Sequence, residues 1–322
     1  MFMEVLALRS GFTVLVIEPI HPCGIVVLEK YGKVVQLGSG ATWRDVLRFC
    51  GEADAFISRG FVKIPREVLE ASERLKVIGI HGVGVDHIDV EFAEKKGVRI
   101  VRTPEALTES VAEFTVGLML ALLRKIPLAD SAVRRGEWDR KYSDLVGVEL
   151  MGKTVGILGL GRIGSAVAKR LHGFSVNLVY YQRNRNMELE RLLGLKYVSF
   201  HELLRVSDVI TIHVPLTPET YHMISSKEFD LMKRGVYIVN TARGAVVDEK
   251  ALYEALVSGK VAGAALDVFE TEPLALNSPL ARLENVILTP HLAASCEETL
   301  KRLAVAVAER VIQALQEYAW QP

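Results

Sequence analysis

The segment that most restricts the fold runs from residue 154 to residue 172. An apolar strand pattern, Thr154–Leu158, leads into Gly159-Leu-Gly161-Arg-Ile-Gly164, and a helical pattern follows at 165–172. A bare glycine triplet at this spacing is common in loops. With a strand before it, a helix after it and a further strand pattern at Asn177–Tyr181, it predicts a βαβ unit. Gly159 permits the tight turn, Gly161 lets the backbone approach an anion, and Gly164 lets helix and strand pack closely. Free N–H groups and the dipole at the helix N-terminus favour a phosphate there. The turn therefore predicts a site for the pyrophosphate of a dinucleotide.

Short apolar runs alternate with helical patterns along the rest of the chain, which predicts parallel sheets with crossover helices. Strands are expected at 13–18, 34–37, 55–58, 77–80 and 98–101, then at 154–158, 177–181, 209–213, 236–240, 263–268 and 286–288. A helix over 105–123 is apolar nearly all round, so it must be buried or meet another subunit. A polar stretch, 134–144, follows it, and an amphipathic helix over 296–316 ends the pattern. The 322 residues are too many for one ordinary α/β core, so two domains are expected.

Thirty-nine basic residues balance 39 acidic ones with no long run of like charge. That gives no reason to expect a nucleic-acid or membrane-surface partner, and it leaves room for a small anionic substrate. Cys23, Cys50 and Cys296 are odd in number and far apart. They fit neither a disulfide framework nor a zinc cluster, so no metal is expected and a cytoplasmic location is. Residues 1–20 are interrupted by Glu4, Arg9 and Glu18 and lack a basic start and a cleavage site. No stretch reaches the roughly 18 uncharged apolar residues of a membrane span.

After the strand at 177–181, an NAD-specific site would carry Asp or Glu for the ribose hydroxyls. Gln182-Arg183-Asn184-Arg185 stands there instead. Losing the carboxylate removes repulsion toward a 2′-phosphate, and either arginine is a candidate to pair with one. A solvated loop with no preference between NAD and NADP fits the same residues.

Three charged or titratable residues follow three successive strand patterns, where open α/β sheets place ligands: Arg243, Glu272 and His291. Hydride reduction of a 2-keto acid needs a cation to hold the carboxylate, and a guanidinium does this with two parallel N–H groups. It also needs an acid at the carbonyl oxygen, and histidine titrates in the right range. A carboxylate beside such a histidine orients the ring and favours its charged form.

Four stretches carry a resemblance: Gly159-Leu-Gly161-Arg-Ile-Gly164; Asn240-Thr-Ala-Arg-Gly244 with Val247-Asp-Glu249; Ala264-Ala-Leu-Asp-Val-Phe-Glu-Thr-Glu-Pro273; and Thr289-Pro-His-Leu-Ala-Ala-Ser295. In this order and spacing, the chain resembles the D-isomer-specific 2-hydroxyacid dehydrogenases over essentially its full length. The resemblance implies an α/β fold with a Rossmann dinucleotide-binding domain, 104–290, inserted in a flavodoxin-like substrate domain, 1–103 plus 291–322. The cleft between them would hold the site, and domain closure would dry it. It implies Arg243 as the carboxylate binder, His291 as the acid/base and Glu272 as its partner, with Glu270 the neighbouring alternative. Cofactor contacts carry over to Arg162 and Ile163, to Gln182 and, by position, Arg183, to His213-Val214-Pro215 beside the adenine, and to Thr241 and Ala242. Asp267 and residues 291–294, with Ala293 and Ala294 among them, would face the nicotinamide. The Val83 and Gly84 backbone would bind the substrate carboxylate, and the 105–123 helix would be a homodimer contact. Ala293 stands where glycine is commoner.

Two substrates compete. Ile57-Ser-Arg59 with Lys63, and the run from Leu150 to Gly159, look like 3-phosphoglycerate dehydrogenases, with Arg59 then a phosphate ligand. Ile80 stands where those enzymes often carry arginine. Thr103-Pro-Glu-Ala-Leu-Thr-Glu and Val83-Gly-Val-Asp-His87 look more like glyoxylate/hydroxypyruvate reductases. An NAD(H)-binding corepressor-type adaptor shares the fold and the trio. No disordered extension or regulatory tail is read here, so an enzyme acting on a small 2-keto or 2-hydroxy acid is expected.

Overall fold

The structure is a computed structural model and describes residues 11–319. Residues 1–10 and 320–322, assigned by sequence to the ends of the substrate domain, lie outside the described residues. The strands are β1 Phe12–Val16, β2 Gly32–Gln36, β3 Ala55–Ser58, β4 Val77–Ile80, β5 Arg99–Arg102, β6 Thr154–Leu158, β7 Asn177–Tyr181, β8 Lys196–Tyr197, β9 Val209–Ile212, β10 Val236–Asn240, β11 Val261–Leu266 and β12 Val286–Leu288. The helices are α1 Pro22–Glu29, α2 Trp43–Phe49, α3 Arg66–Ala71, α4 Val90–Lys95, α5 Pro104–Leu123, α6 Ile126–Arg134, α7 Arg162–Leu171, α8 Met187–Leu193, α9 Phe200–Val206, α10 Ser226–Leu231, α11 Glu249–Val257 and α12 Glu297–Ala319. Contacts divide the chain into two units: Met1–Leu107 with Ser295–Pro322, and Thr108–Ala294.

The first unit holds a parallel sheet in the order β2-β1-β3-β4-β5, the flavodoxin-like order. Every residue of β3 and β4 is buried, as a parallel sheet covered on both faces requires. On one face Val14, Val16, Ile57 and Val77 pack with Ile25 of α1 and with Val307 and Val311 of α12. On the other, Leu15, Phe56 and Ile78 meet Val46 of α2, Leu69 of α3 and Ala93 of α4. The closing helix belongs to this unit because its apolar stripe completes that first face.

The second unit holds a seven-stranded parallel sheet, β12-β11-β10-β9-β6-β7-β8. Counted from β6, this is the Rossmann order with one further strand, and its direction of winding reverses between β6 and β9. The chain is thus an α/β protein with two parallel sheets, one Rossmann-type and one flavodoxin-like.

Local features depart from the sequence reading, among them the short strand β8, for which no strand was expected. Helix α7 begins at Arg162, not at 165, because Gly161 is extended at the N-cap and Gly164 lies inside the helix. A separate helix, α6, precedes the polar stretch: Lys125 turns left-handed at φ 53° and Pro127 starts the new helix. Within the stretch, Trp138–Tyr142 forms a 3₁₀ turn. Among the described residues, α5 is the one helix long and apolar enough to cross a membrane. Half of that span is buried in the protein, with Ala112, Val116, Met119 and Leu123 in the second unit's core.

Candidate active site

At the reversal point, the 159–164 turn leaves β6 beside the end of β9. Gly159 adopts φ +96°, and a Cβ there would meet the His213 carbonyl carbon and oxygen at 2.8 Å. A Cβ on Gly164 would lie 2.0 Å from the Gly159 carbonyl oxygen. No heavy atom lies within 4 Å of the Cβ position of Gly161, so the turn is tight behind and open in front. The N–H groups of Gly161, Arg162 and Ile163 donate to no other group among the described residues. An open cradle with unfilled donors at a ten-residue helix fits a pyrophosphate.

His213 and Val214 stand against this turn. The His213 ring bonds Thr211 Oγ1 at 2.8 Å, and burial lowers its pKa to about 3, so the ring is neutral. Pro215 is exposed beyond it. At the end of β7, Gln182 Oε1 accepts the Leu160 N–H at 3.1 Å, and its Nε2 donates to the Asn184 carbonyl. Arg183 is exposed. Arg185 is gripped by Glu190, through Nε at 2.7 Å and Nη2 at 2.6 Å, so the two arginines are not equivalent as the sequence alone suggested.

The trio lies at the ends of β10, β11 and β12. Beyond β10, Asn240 braces the turn: its Oδ1 accepts the Ala242 N–H and its Nδ2 donates to the Arg243 carbonyl. Thr241 Oγ1 lies 2.8 Å from Thr115 Oγ1 of α5; Thr115 donates to the Val111 carbonyl, so Thr241 is the donor between them. Glu272 Oε2 bonds His291 Nδ1 at 2.7 Å, while its Oε1 accepts the Phe269 N–H at 3.1 Å. Burial acts to raise the Glu272 pKa. The His291 ring, the Phe269 N–H and the Arg243 charge together outweigh it, so the carboxyl sits below the ordinary glutamate value. Of the two candidate glutamates, the pair with His291 is made by Glu272; Glu270 instead bonds His222 Nε2 at 3.0 Å.

Asp267 is fully buried and holds the loop that carries His291. Its carboxylate accepts the Thr289 hydroxyl at 2.6 Å and the Leu292 and Ala293 N–H groups at 2.9 Å, and its carbonyl accepts the His291 N–H. These bonds stabilise His291 at φ +50°, a left-handed conformation that costs a non-glycine residue roughly 1–3 kcal/mol. Ala293 is buried, and Ala294 is the last residue of this unit.

In the first unit, Arg59 follows β3 and donates from Nη1 to the Pro19 carbonyl at 3.0 Å. The Val83 and Gly84 N–H groups, after β4, donate to no other group among the described residues. The sequence reading missed what shapes these loops. Buried Glu18, after β1, accepts the N–H groups of Arg59, Phe61 and Val62, each at 2.9 Å. Its one signal was a carboxylate directly after an apolar strand. His222, Asp248 and Glu270 offer metal-type ligand atoms within 4.8 Å of one another. Those atoms are engaged with protein: Glu270 with His222 and the Glu249 N–H, Asp248 as the cap on the Ala251 N–H.

The chain matches the model of the D-isomer specific 2-hydroxyacid dehydrogenase, NAD binding domain, over residues 116–293. It is 47% identical to the D-3-phosphoglycerate dehydrogenase of Methanocaldococcus jannaschii, over 94% of this chain but 57% of that protein. The chain thus spans little more than half of that relative. It is 46% identical to the glyoxylate reductase of Thermofilum pendens, over 84% of this chain and 81% of that one. The NADPH-dependent glyoxylate/hydroxypyruvate reductase of Sinorhizobium meliloti, solved with NADP and malonate, superposes with a TM-score of 0.85 at 30% identity, covering 95% of this chain and 94% of that chain. These names do not favour the adaptor reading. With the Rossmann-type sheet, the open glycine turn and the Glu272–His291 pair, they place the chain in the family of D-isomer specific 2-hydroxyacid dehydrogenases.

Proposed function

We propose that this chain interconverts a small D-2-hydroxy acid and its 2-keto acid with NAD(P). The 2.7 Å Glu272–His291 pair, in the unit that also carries the phosphate turn, is the observation that carries the reading. A bound nicotinamide supplies or accepts the hydride. With Nδ1–H donated to Glu272, His291 exchanges a proton with the substrate oxygen through Nε2, as acid in reduction and base in oxidation. Glu272 orients the ring through the 2.7 Å bond to Nδ1. Arg243, whose charge reaches Glu272, binds the substrate carboxylate.

We assign the Thr108–Ala294 unit to the cofactor. Arg162 and Ile163 hold the pyrophosphate, Gln182 and Arg183 meet the ribose, and 213–215 flank the adenine. Thr241, Ala242, Asp267 and 291–294 form the nicotinamide side. The first unit contributes Val83 and Gly84 to the substrate carboxylate, through their unfilled N–H groups. Glyoxylate or hydroxypyruvate is the first reading of the substrate, because the glyoxylate reductase matches along most of its own length. Arg59 favours a second, 3-phosphoglycerate, in line with the methanogen relative.

A homodimer in the cytoplasm completes the proposal. Its surface is better sought at the exposed Ile126, Val133, Trp138 and Tyr142 than on α5, whose apolar residues serve the unit's own core. The test is one panel of NADH and NADPH against glyoxylate, hydroxypyruvate, phosphohydroxypyruvate and pyruvate. Turnover of neither cofactor with any of the four would falsify the reading. If the phosphorylated acid is the substrate, Arg59→Ala raises its KM about 10-fold and leaves glyoxylate unaffected.

A further inference from the structure

The two arginines after β7 are held in different ways, and the difference bears on which dinucleotide the unit prefers. Arg185 makes two hydrogen bonds to Glu190 of α8 and lies over the Tyr197 ring, 5.8 Å from its centroid. Glu190 is itself anchored: its side chain is 11% exposed, and its Oε1 accepts the buried Tyr180 hydroxyl at 2.7 Å. The Tyr180 hydroxyl in turn accepts the Asn186 N–H at 2.8 Å, and Asn186 caps α8. Arg185 is thus drawn onto the β7–β8 edge and its charge is met there.

Arg183 is exposed, as Arg185 is, but it makes no hydrogen bond or ion pair among the described residues. Its charge is felt by Glu219, on the loop that continues from 213–215. Gln182, between Arg183 and β7, is neutral, and both ends of its amide are engaged by backbone. No carboxylate stands at this position to repel a phosphate.

We propose that Glu190 sets the choice between NADH and NADPH by withdrawing Arg185, which leaves Arg183 as the single cation that meets a 2′-phosphate. The inference rests on the cofactor reading above and concerns a residue that neither touches the substrate nor moves a proton. Glu190 acts by holding another side chain, so it is a positioning residue, and removing its charge releases a second cation toward the ribose.

Isothermal titration calorimetry with NADPH and with NADH, needing no turnover, tests it. Arg183→Ala is expected to raise the Kd for NADPH about 10-fold and to leave NADH within about twofold, as the loss of one charge-assisted contact predicts. Arg185→Ala is expected to change neither by more than about twofold. Glu190→Gln is expected to tighten NADPH roughly fivefold without tightening NADH, and the gain should vanish in the double variant with Arg185→Ala. NADPH binding weakened as much by Arg185→Ala as by Arg183→Ala overturns the inference, as does a Glu190→Gln variant with an unchanged NADPH-to-NADH ratio. Should Glu190→Gln fail to fold, the Arg183→Ala and Arg185→Ala pair still decides. Binding of neither dinucleotide by the unaltered protein would instead sink the cofactor reading itself.

Discussion

In the first unit, Glu18 sits after β1 and gathers the N–H groups of Arg59, Phe61 and Val62; in the second, Asp267 sits after β11 and gathers Thr289, Leu292 and Ala293. Each buried carboxylate stabilises a loop at the C-terminal edge of a parallel sheet. The groups presented there are unlike. The second unit's loop delivers an ionisable ring already paired with a carboxylate, and holds it in a strained backbone conformation. In the first unit, the Glu18 loop delivers Arg59, and backbone N–H groups follow β4. A side chain that moves protons must be oriented in advance, whereas a carboxylate is met adequately by N–H groups and a cation. On the proposed function, proton chemistry therefore belongs to the second unit, which also carries Arg243 for the substrate carboxylate, and the first unit serves recognition alone.

The widest gap between the units should appear on removing the ring. His291→Ala is expected to lower kcat by about 10²–10⁴, the usual worth of a general acid. Near-normal turnover in that variant would show that the acid lies elsewhere and would erase the division drawn here.

Loss of either loop-holding carboxylate leaves several donors without partners. Asp267→Ala and Glu18→Ala are each expected to destabilise the protein by about 3 kcal/mol in chemical denaturation. Their kinetics should part: the first lowers kcat because His291 loses its support, and the second raises KM with kcat largely kept. Equal effects on kcat would contradict the comparison.

The smallest effect is one the units share. Burial lowers the pKa of His81, in the first unit, to about 4, and that of His213, in the second, to about 3. Both lie below the ordinary histidine value, so the unfolded chain binds more protons than the folded one as the pH falls. Their contribution is fully present above about pH 6.5 and is lost as the pH drops through 4 and then 3. Tm measured between pH 7 and 4.5 should fall, and less steeply in His81→Gln and in His213→Gln. An identical slope in both variants would rule out these two rings as the source.

Much of this was legible in advance, for identifiable reasons. Strands such as β3, β4, β6, β7 and β10 carry apolar runs bounded by turn residues, so a one-dimensional pattern reveals them. The placement of Arg243, Glu272 and His291 beyond strand ends was legible because the strands before them carry clear apolar patterns. Helix α6 was not read, although Pro127 is a helix-start signal; what parts it from α5 is the left-handed Lys125. The helix after the glycine turn was read three residues late because Gly164, poor in a helix interior, is required there by the closeness of the Gly159 carbonyl.

The sequence by itself determined the two parallel sheets, the dinucleotide turn and the residue types that could run the chemistry, because periodicity and motif spacing are local properties. It left Glu270 as the alternative to Glu272, which the resemblance already preferred, and Arg183 and Arg185 as equal candidates. Only the tertiary structure showed the first choice as a hydrogen bond and separated the second pair. Two residues in a pair can lie two positions apart yet face different partners, and Glu272 reaches His291 19 positions away while Arg185 reaches Glu190, five positions on. Which side chain meets which is decided by long-range packing and by the electrostatics of the pairs it creates, neither of which is written in the order of the residues.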